Sequence, residues 1–208
     1  MIDKSTSVFP RARRLAAVAL AGAVLAGAAA GLGGCAGAVV GGAAATGVAA
    51  YQERGISGVT KDLRVALSIR EKWGRFDHTM PVKLGVEVYE GRALLTGAVT
   101  DEKFASDAVR LAWKAEGVKD VLNEIQITDT GVADYARDSW ITTELTTKIT
   151  LDKDVLAINY AIETVNQVIY LIGIAQDQAE LDRVLAHART IDYVKKIVNH
   201  VRVKTRPS

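Results

Sequence analysis

The side chains in this 208-residue sequence that could do chemistry are few and scattered. One cysteine, Cys35, closes the stretch Gly31-Leu32-Gly33-Gly34-Cys35. A lone thiol makes no intrachain disulfide, and no histidine or second cysteine stands near it in sequence to complete a metal site. His78, His187 and His200 are far apart and read as solvated or structural groups with no obvious partner. Asp101-Glu102 and Asp152-Lys153-Asp154 read as helix starts and solvated turns rather than acid–base pairs. The glycine-rich tract around Cys35 lacks the Gly-Lys-Ser/Thr ending of a phosphate loop. No catalytic residue, metal ligand or cofactor is expected, and the chain does not read as an enzyme.

The surroundings of Cys35 supply a role for it. Arg11, Arg13 and Arg14 precede an uncharged run that begins at Leu15, the layout of a bacterial export signal. Leu-Gly-Gly-Cys resembles the lipobox of bacterial lipoproteins, although that family more often has Ala or Ser where Gly33 stands. The resemblance implies cleavage ahead of Cys35, with residues 1–34 as signal peptide and Cys35 carrying fatty acyl chains such as palmitate. Ala36 follows the cysteine instead of the Asp that retains lipoproteins in the inner membrane of enteric bacteria. That implies an outer-membrane, periplasm-facing location. An uncleaved transmembrane anchor is the alternative, since no charge occurs from Leu15 to Gln52.

Loss of residues 1–34 removes four of the 26 basic and one of the 24 acidic side chains, leaving a net charge of about −1. A chain so close to neutral is poorly suited to nucleic acid, whose binding is dominated by phosphate neutralisation.

Residues 35–58 are mostly Gly, Ala and Val and read as a flexible tether. Beyond them the chain repeats: a shift of 76 positions lays residues 62–127 over 138–203 without a gap. Val118-Lys119-Asp120-Val121-Leu122-Asn123 falls on Val194-Lys195-Lys196-Ile197-Val198-Asn199. Asp62 falls on Asp138, Leu95 and Gly97 on Leu171 and Gly173, and Lys72 on Lys148. The reading divides the chain into a first domain at 59–128, a linker at 129–137, a second domain at 138–204 and a tail at 205–208.

Within each copy, Val65, Ile69 and Trp73, like Ile141, Leu145 and Ile149, recur every four residues as on one face of a helix. Val82, Leu84, Val86 and Val88, like Ile158, Tyr160 and Ile162, alternate as in a half-buried strand. A turn is expected at Glu90-Gly91 or Asn166-Gln167, and a second strand ending at Gly97 or Gly173. Thr100 is the expected cap of a second helix that buries Phe104, Ala108, Leu111 and Ala115 and stops at Gly117. A last strand runs to Ile127 or Val203.

A duplicated αββαβ unit with a Val-Lys-x-Val-x-Asn ending behind a lipobox resembles the BON domain (bacterial osmotic-shock and nodulation type). The resemblance implies an α+β fold of two tandem domains, each with two helices packed on a three-stranded mixed sheet. The two-BON lipoproteins it is most similar to bind anionic phospholipid and support envelope integrity.

One copy helps to read the other. Trp73 lies over Ile149 and reads as core; Trp113 lies over Arg189 and Trp140 over Arg64, so both read as exposed. The resemblance extends to Trp140-Ile141-Thr142-Thr143 and implies Trp140 as the residue inserted into lipid, with Thr143, Thr147 and Lys148 near head groups. Packing of Trp140 between the two domains is the alternative. Against a strongly cationic surface, residues 138–203 hold nine acidic and seven basic side chains. The partners expected are therefore a membrane, reached by the lipid anchor, and anionic phospholipid. A structural adaptor that docks an outer-membrane protein complex through Trp113 or a sheet edge is the second reading.

Overall fold

The computed structural model describes residues 50–129 and 131–205. Cys35, the signal at 1–34 and most of the segment read as tether lie outside the described residues. The first repeat contains α1 (Gly55–Phe76), α2 (Met80–Lys83), β1 (Leu84–Tyr89), β2 (Arg92–Val99), α3 (Glu102–Ala112) and β3 (Asp120–Ile127). The second contains α4 (Tyr135–Leu151), a 3-10 turn at Ala157–Asn159, β4 (Tyr160–Val165), β5 (Val168–Ala175), α5 (Gln178–Arg189) and β6 (Lys196–Val203). Each repeat forms its own mixed sheet, with the middle strand antiparallel to the first and parallel to the last. The αββαβ order expected from the repeat is the order found.

The four-residue apolar spacing places Val65, Ile69 and Trp73 against the inner faces of β1 and β2, and Ile141, Leu145 and Ile149 against their counterparts. Trp73 is wholly enclosed, and its indole Nε1 donates to Ala108 O at 2.9 Å, so its one polar atom is satisfied inside the core.

The repeated aspartate has a structural function. Glu90 and Gly91, like Asn166 and Gln167, all have positive φ, the geometry of the tight turn whose twist suits a hairpin. That geometry aims two successive N–H groups inward. Asp62 accepts from Glu90 N at 2.8 Å and Gly91 N at 2.9 Å; Asp138 accepts from Asn166 N and Gln167 N, both at 2.7 Å. Asp138→Ala leaves both half-buried donors without their carboxylate partner, and about 1–3 kcal/mol of stability should be lost. Urea unfolding monitored by circular dichroism measures this, and a loss below about 0.5 kcal/mol would contradict the assigned role.

Several boundaries differ from the sequence expectation. α1 begins at Gly55, so the last residues read as tether are helical; Arg54 fixes this start by pairing with Asp62 at 2.7 Å and lying 4.2 Å over the Tyr89 ring. Likewise α4 starts at Tyr135, inside the stretch read as linker, where the Asp134 side chain caps it. Val82 lies in α2, started by Pro81, and is exposed; Ile158 lies in the 3-10 turn. The cap of α3 is Asp101, which accepts from Lys103 N at 2.8 Å, and not Thr100. β2 and β5 do not stop at Gly97 and Gly173 but run two residues farther, because their parallel partners continue to Ile127 and Val203. The glycines serve a crossing instead: a Cβ on Gly97 would come within 2.7 Å of Lys83 O, and one on Gly173 would collide with Asn159 O.

The faces of the two sheets that carry no helix pack on each other. Tyr89, Leu94 and Ala98 of the first meet Val165, Tyr170, Ile172 and Ile174 of the second. Tyr89 and Val165, Leu94 and Tyr170, and Ala98 and Ile174 are each 76 residues apart, so equivalent surfaces meet as they do in a twofold dimer. Glu124 and His200, also equivalent, bind each other at 2.8 Å, and Arg92 Nη1 donates to His200 O at 2.9 Å. Docking of the domains is thus the work of the sheets, and Trp140 is not one of the residues of this core.

Residues ahead of α1 also touch both domains. Glu53 N donates to Asn159 Oδ1 at 2.8 Å, and the Glu53 carboxylate takes Lys204 Nζ at 2.5 Å and Gln176 Nε2 at 3.0 Å.

Candidate membrane-contact surface

Turning Ile141, Leu145 and Ile149 into the core places Trp140, Thr143 and Thr147 on the outer face of α4. Asp134 fixes the start of this helix, accepting from Arg137 N at 3.0 Å and pairing with Arg137 Nη2 at 3.2 Å. Trp140 is 44% exposed, in agreement with the sequence reading.

Its neighbour is Tyr193, on the loop between α5 and β6 and 63% exposed. The two rings meet edge to face, with centroids 6.1 Å apart at 72°. Arg137 lies 4.9 Å above the Tyr193 ring. Edge-to-face aromatic pairs and a cation over a ring are each favourable, so the three side chains support one another.

Tyr193 has φ +66°, a left-handed backbone that is costly for a bulky residue. At the same position of the first repeat stands Gly117, with φ +89°. The loop geometry is therefore common to both domains, and the second keeps it at the expense of strain, with an exposed phenol where the first has glycine. Sequence reading missed Tyr193, yet the signal was there: it stands where the other copy has the glycine assigned to a left-handed position. In the first domain the corresponding face has no such ring pair but an open cleft of about 770 Å³, lined in part by Lys61, Arg64, Gly117 and Lys119.

The threonines are less polar than their formulae suggest. Thr143 Oγ1 donates to Ser139 O and Thr147 Oγ1 to Thr143 O, both at 2.8 Å, while Thr146 and Thr150 donate to Thr142 O and Thr146 O at 2.7 Å. With hydroxyl protons bound to the preceding turn, these side chains retain only acceptor capacity and a methyl group for the surroundings. Lys148 Nζ is 3.4 Å from Glu144 Oε1, so its charge is balanced within the helix. The structure brings Trp140, Thr143 and Thr147 together on one exposed face and leaves Lys148 beside them, paired.

Two of the histidines do have partners. His187 Nε2 is 2.7 Å from Asp152 Oδ2, a hydrogen bond that holds the Asp152 carboxyl below the usual carboxylate range; His200 meets Glu124. Their partners lie 35 and 76 residues away, out of reach of a local motif. Asp154, read as part of a solvated turn, pairs with Arg183 at 3.0 Å. Trp113, at the end of α3, is 52% exposed as expected. Among the described residues no three His, Cys, Asp or Glu side chains gather to hold a metal ion, and no helix is long and apolar enough to cross a membrane.

The BON domain family model matches residues 68–129 and again 137–205. The chain belongs to the BON domain family. The two matched segments coincide with the two αββαβ repeats apart from residues 55–67 of α1 and the first two residues of α4. Among its relatives, this BON protein is 37% identical over 131 residues to an uncharacterized protein in the gshII 5′ region of Anaplasma centrale, covering 62% of this chain and 87% of that one. It is 33% identical over 112 residues to the outer membrane lipoprotein DolP of Haemophilus influenzae, covering 53% of this chain and 57% of that one. It is 29% identical over 131 residues to osmotically-inducible protein Y of Escherichia coli, covering 62% of this chain and 65% of that one. This chain therefore spans less than two thirds of the length of the latter two proteins.

Proposed function

We propose that this BON protein is a lipid-anchored module at the periplasmic face of the outer membrane, held by acyl chains on Cys35, that supports envelope integrity by binding anionic phospholipid. Trp140 and Tyr193 enter the lipid interface, Arg137 sits at head-group level, and Thr143, Thr147 and Lys148 border the contact. The observation that carries this reading is the exposed Trp140–Tyr193 pair, one member of which is kept in a left-handed backbone for which the sister domain uses glycine. Aromatic rings with an apolar body and a polar edge suit a membrane interface. The likeness to an outer membrane lipoprotein supports the location. Two aromatic rings contribute only a few kcal/mol. An anchor offsets this weakness by keeping the domain at high effective concentration beside the bilayer.

Flotation with vesicles tests the proposal, using the chain without its first 49 residues so that no acyl group contributes. Binding to phosphatidylglycerol or cardiolipin vesicles is expected, with Trp140→Glu reducing it at least about tenfold, the scale of one interfacial aromatic exchanged for a charge. Tyr193→Gly relieves backbone strain but gives up the ring contacts to Trp140 and Arg137, so stability should change by less than about 1 kcal/mol while binding weakens several-fold. Undiminished flotation of Trp140→Glu would sink the proposal. Should a protein partner then be lost in Trp113→Ala, the half-exposed Trp113 would mark an adaptor surface instead.

A further inference from the structure

The seam between the sheets holds two carboxylates. In the strand ladders Glu87 lies opposite Leu94, and Glu163 lies opposite Tyr170. Leu94 and Tyr170 are buried in the seam, and directly opposed residues share a face of their sheet, so both glutamates point into it. They occupy one position of the repeat, 76 residues apart, and are related by the same local twofold that joins Glu124 to His200. Both are half-buried, and among the described residues neither accepts a hydrogen bond or makes a direct ion pair.

The groups around them are these. From α1, Arg70 acts on both glutamates and Arg54 on Glu87. β5 contributes the Tyr170 hydroxyl, which accepts from Gln126 Nε2 at 2.9 Å. On β2, Arg92 faces away to His200 O and Asp120. From β3 and β6, Glu124 and His200 bind each other. Burial is the first effect on both carboxyls and pushes both up, Glu163 to about 7; the Glu87 charge adds to this at Glu163, and Arg70 opposes it at both.

We infer that Glu87 and Glu163 form a proton-dependent latch: while they are protonated the sheets stay closed, and loss of their protons to solvent leaves two like charges in the seam that loosen it. A carboxyl that binds its proton more tightly when folded contributes stability that is complete at pH values below the ordinary carboxylate range of about 4.3. That contribution is lost as pH rises through about 7. The latch is closed on the acid side. The latch operates whether or not the second domain touches lipid.

Carboxyl NMR titration of the full chain in detergent micelles, with hydrogen exchange at the Leu94, Tyr170 and Ile172 amides from pH 5 to 8, tests it. After correction for intrinsic rates, exchange in the wild type should rise roughly tenfold to a hundredfold as the latch ionises. Glu163→Gln should flatten the profile, Glu87→Gln should move its midpoint down, and His200→Gln should keep most of it. Ordinary, independent titration of both glutamates near about 4.3 would overturn the latch. So would a wild-type profile in Glu163→Gln, or a flat one in His200→Gln. If a variant does not fold, the wild-type titration decides alone.

Discussion

Trp73→Ala should lower the free energy of unfolding by about 4 kcal/mol, a large part of the ~5–15 kcal/mol that holds a domain of this kind together. Trp73 is 0% exposed, packed among Ile69, Met80 and Ala108, and hydrogen-bonded through Nε1 to Ala108 O. Truncation removes the largest side chain in the core of the first domain and leaves a carbonyl without its side-chain donor. Ile149 fills the same position in the second domain, so Trp73→Ile should cost visibly less than Trp73→Ala. Guanidinium unfolding of the three proteins is the measurement. A loss near zero for Trp73→Ala would mean that the enclosed position does not carry the core.

Gly173→Ala is expected to cost about 3 kcal/mol, although a single methyl group is added in an otherwise apolar strand. The added carbon would collide with Asn159 O, a main-chain atom that a side-chain rotation cannot move aside. Relief requires the turn at Ala157–Asn159 to shift, and Asn159 Oδ1 is the acceptor for Glu53 N. The damage should therefore extend to the segment ahead of α1. A melting temperature several degrees lower, with faster proteolysis near residue 53, is the expected result. An unchanged melting temperature would show that the crossing has slack.

The sequence repeat exposed most of each domain because the two copies are independent solutions to one packing problem. Val65 with Ile141 and Ile69 with Leu145 identified core positions without any knowledge of the sheet, whereas Gly97 and Gly173, read as strand ends, mark a crossing that only the structure shows. The seam was hidden for a physical reason. Glu87 between Val86 and Val88, and Glu163 between Ile162 and Thr164, sit where alternation puts the wet side of a half-buried strand, whereas that side is closed by the other domain. Alternation reports which residues share a face, not what covers it. The exposed Trp140 was legible because its counterpart is Arg64; Tyr193 needed the further step of asking what replaces Gly117.

The contacts of Glu53 and Arg54 have a mechanical consequence. Glu53 is gripped by Asn159, Gln176 and Lys204, while Arg54 is gripped by Asp62 and the Val88 carbonyl. Tension arriving along the chain from its N-terminal side is thus divided between both halves of the molecule at consecutive residues. A tug there loads the pair in parallel, as a shear across many bonds, and does not peel the first helix away one turn at a time.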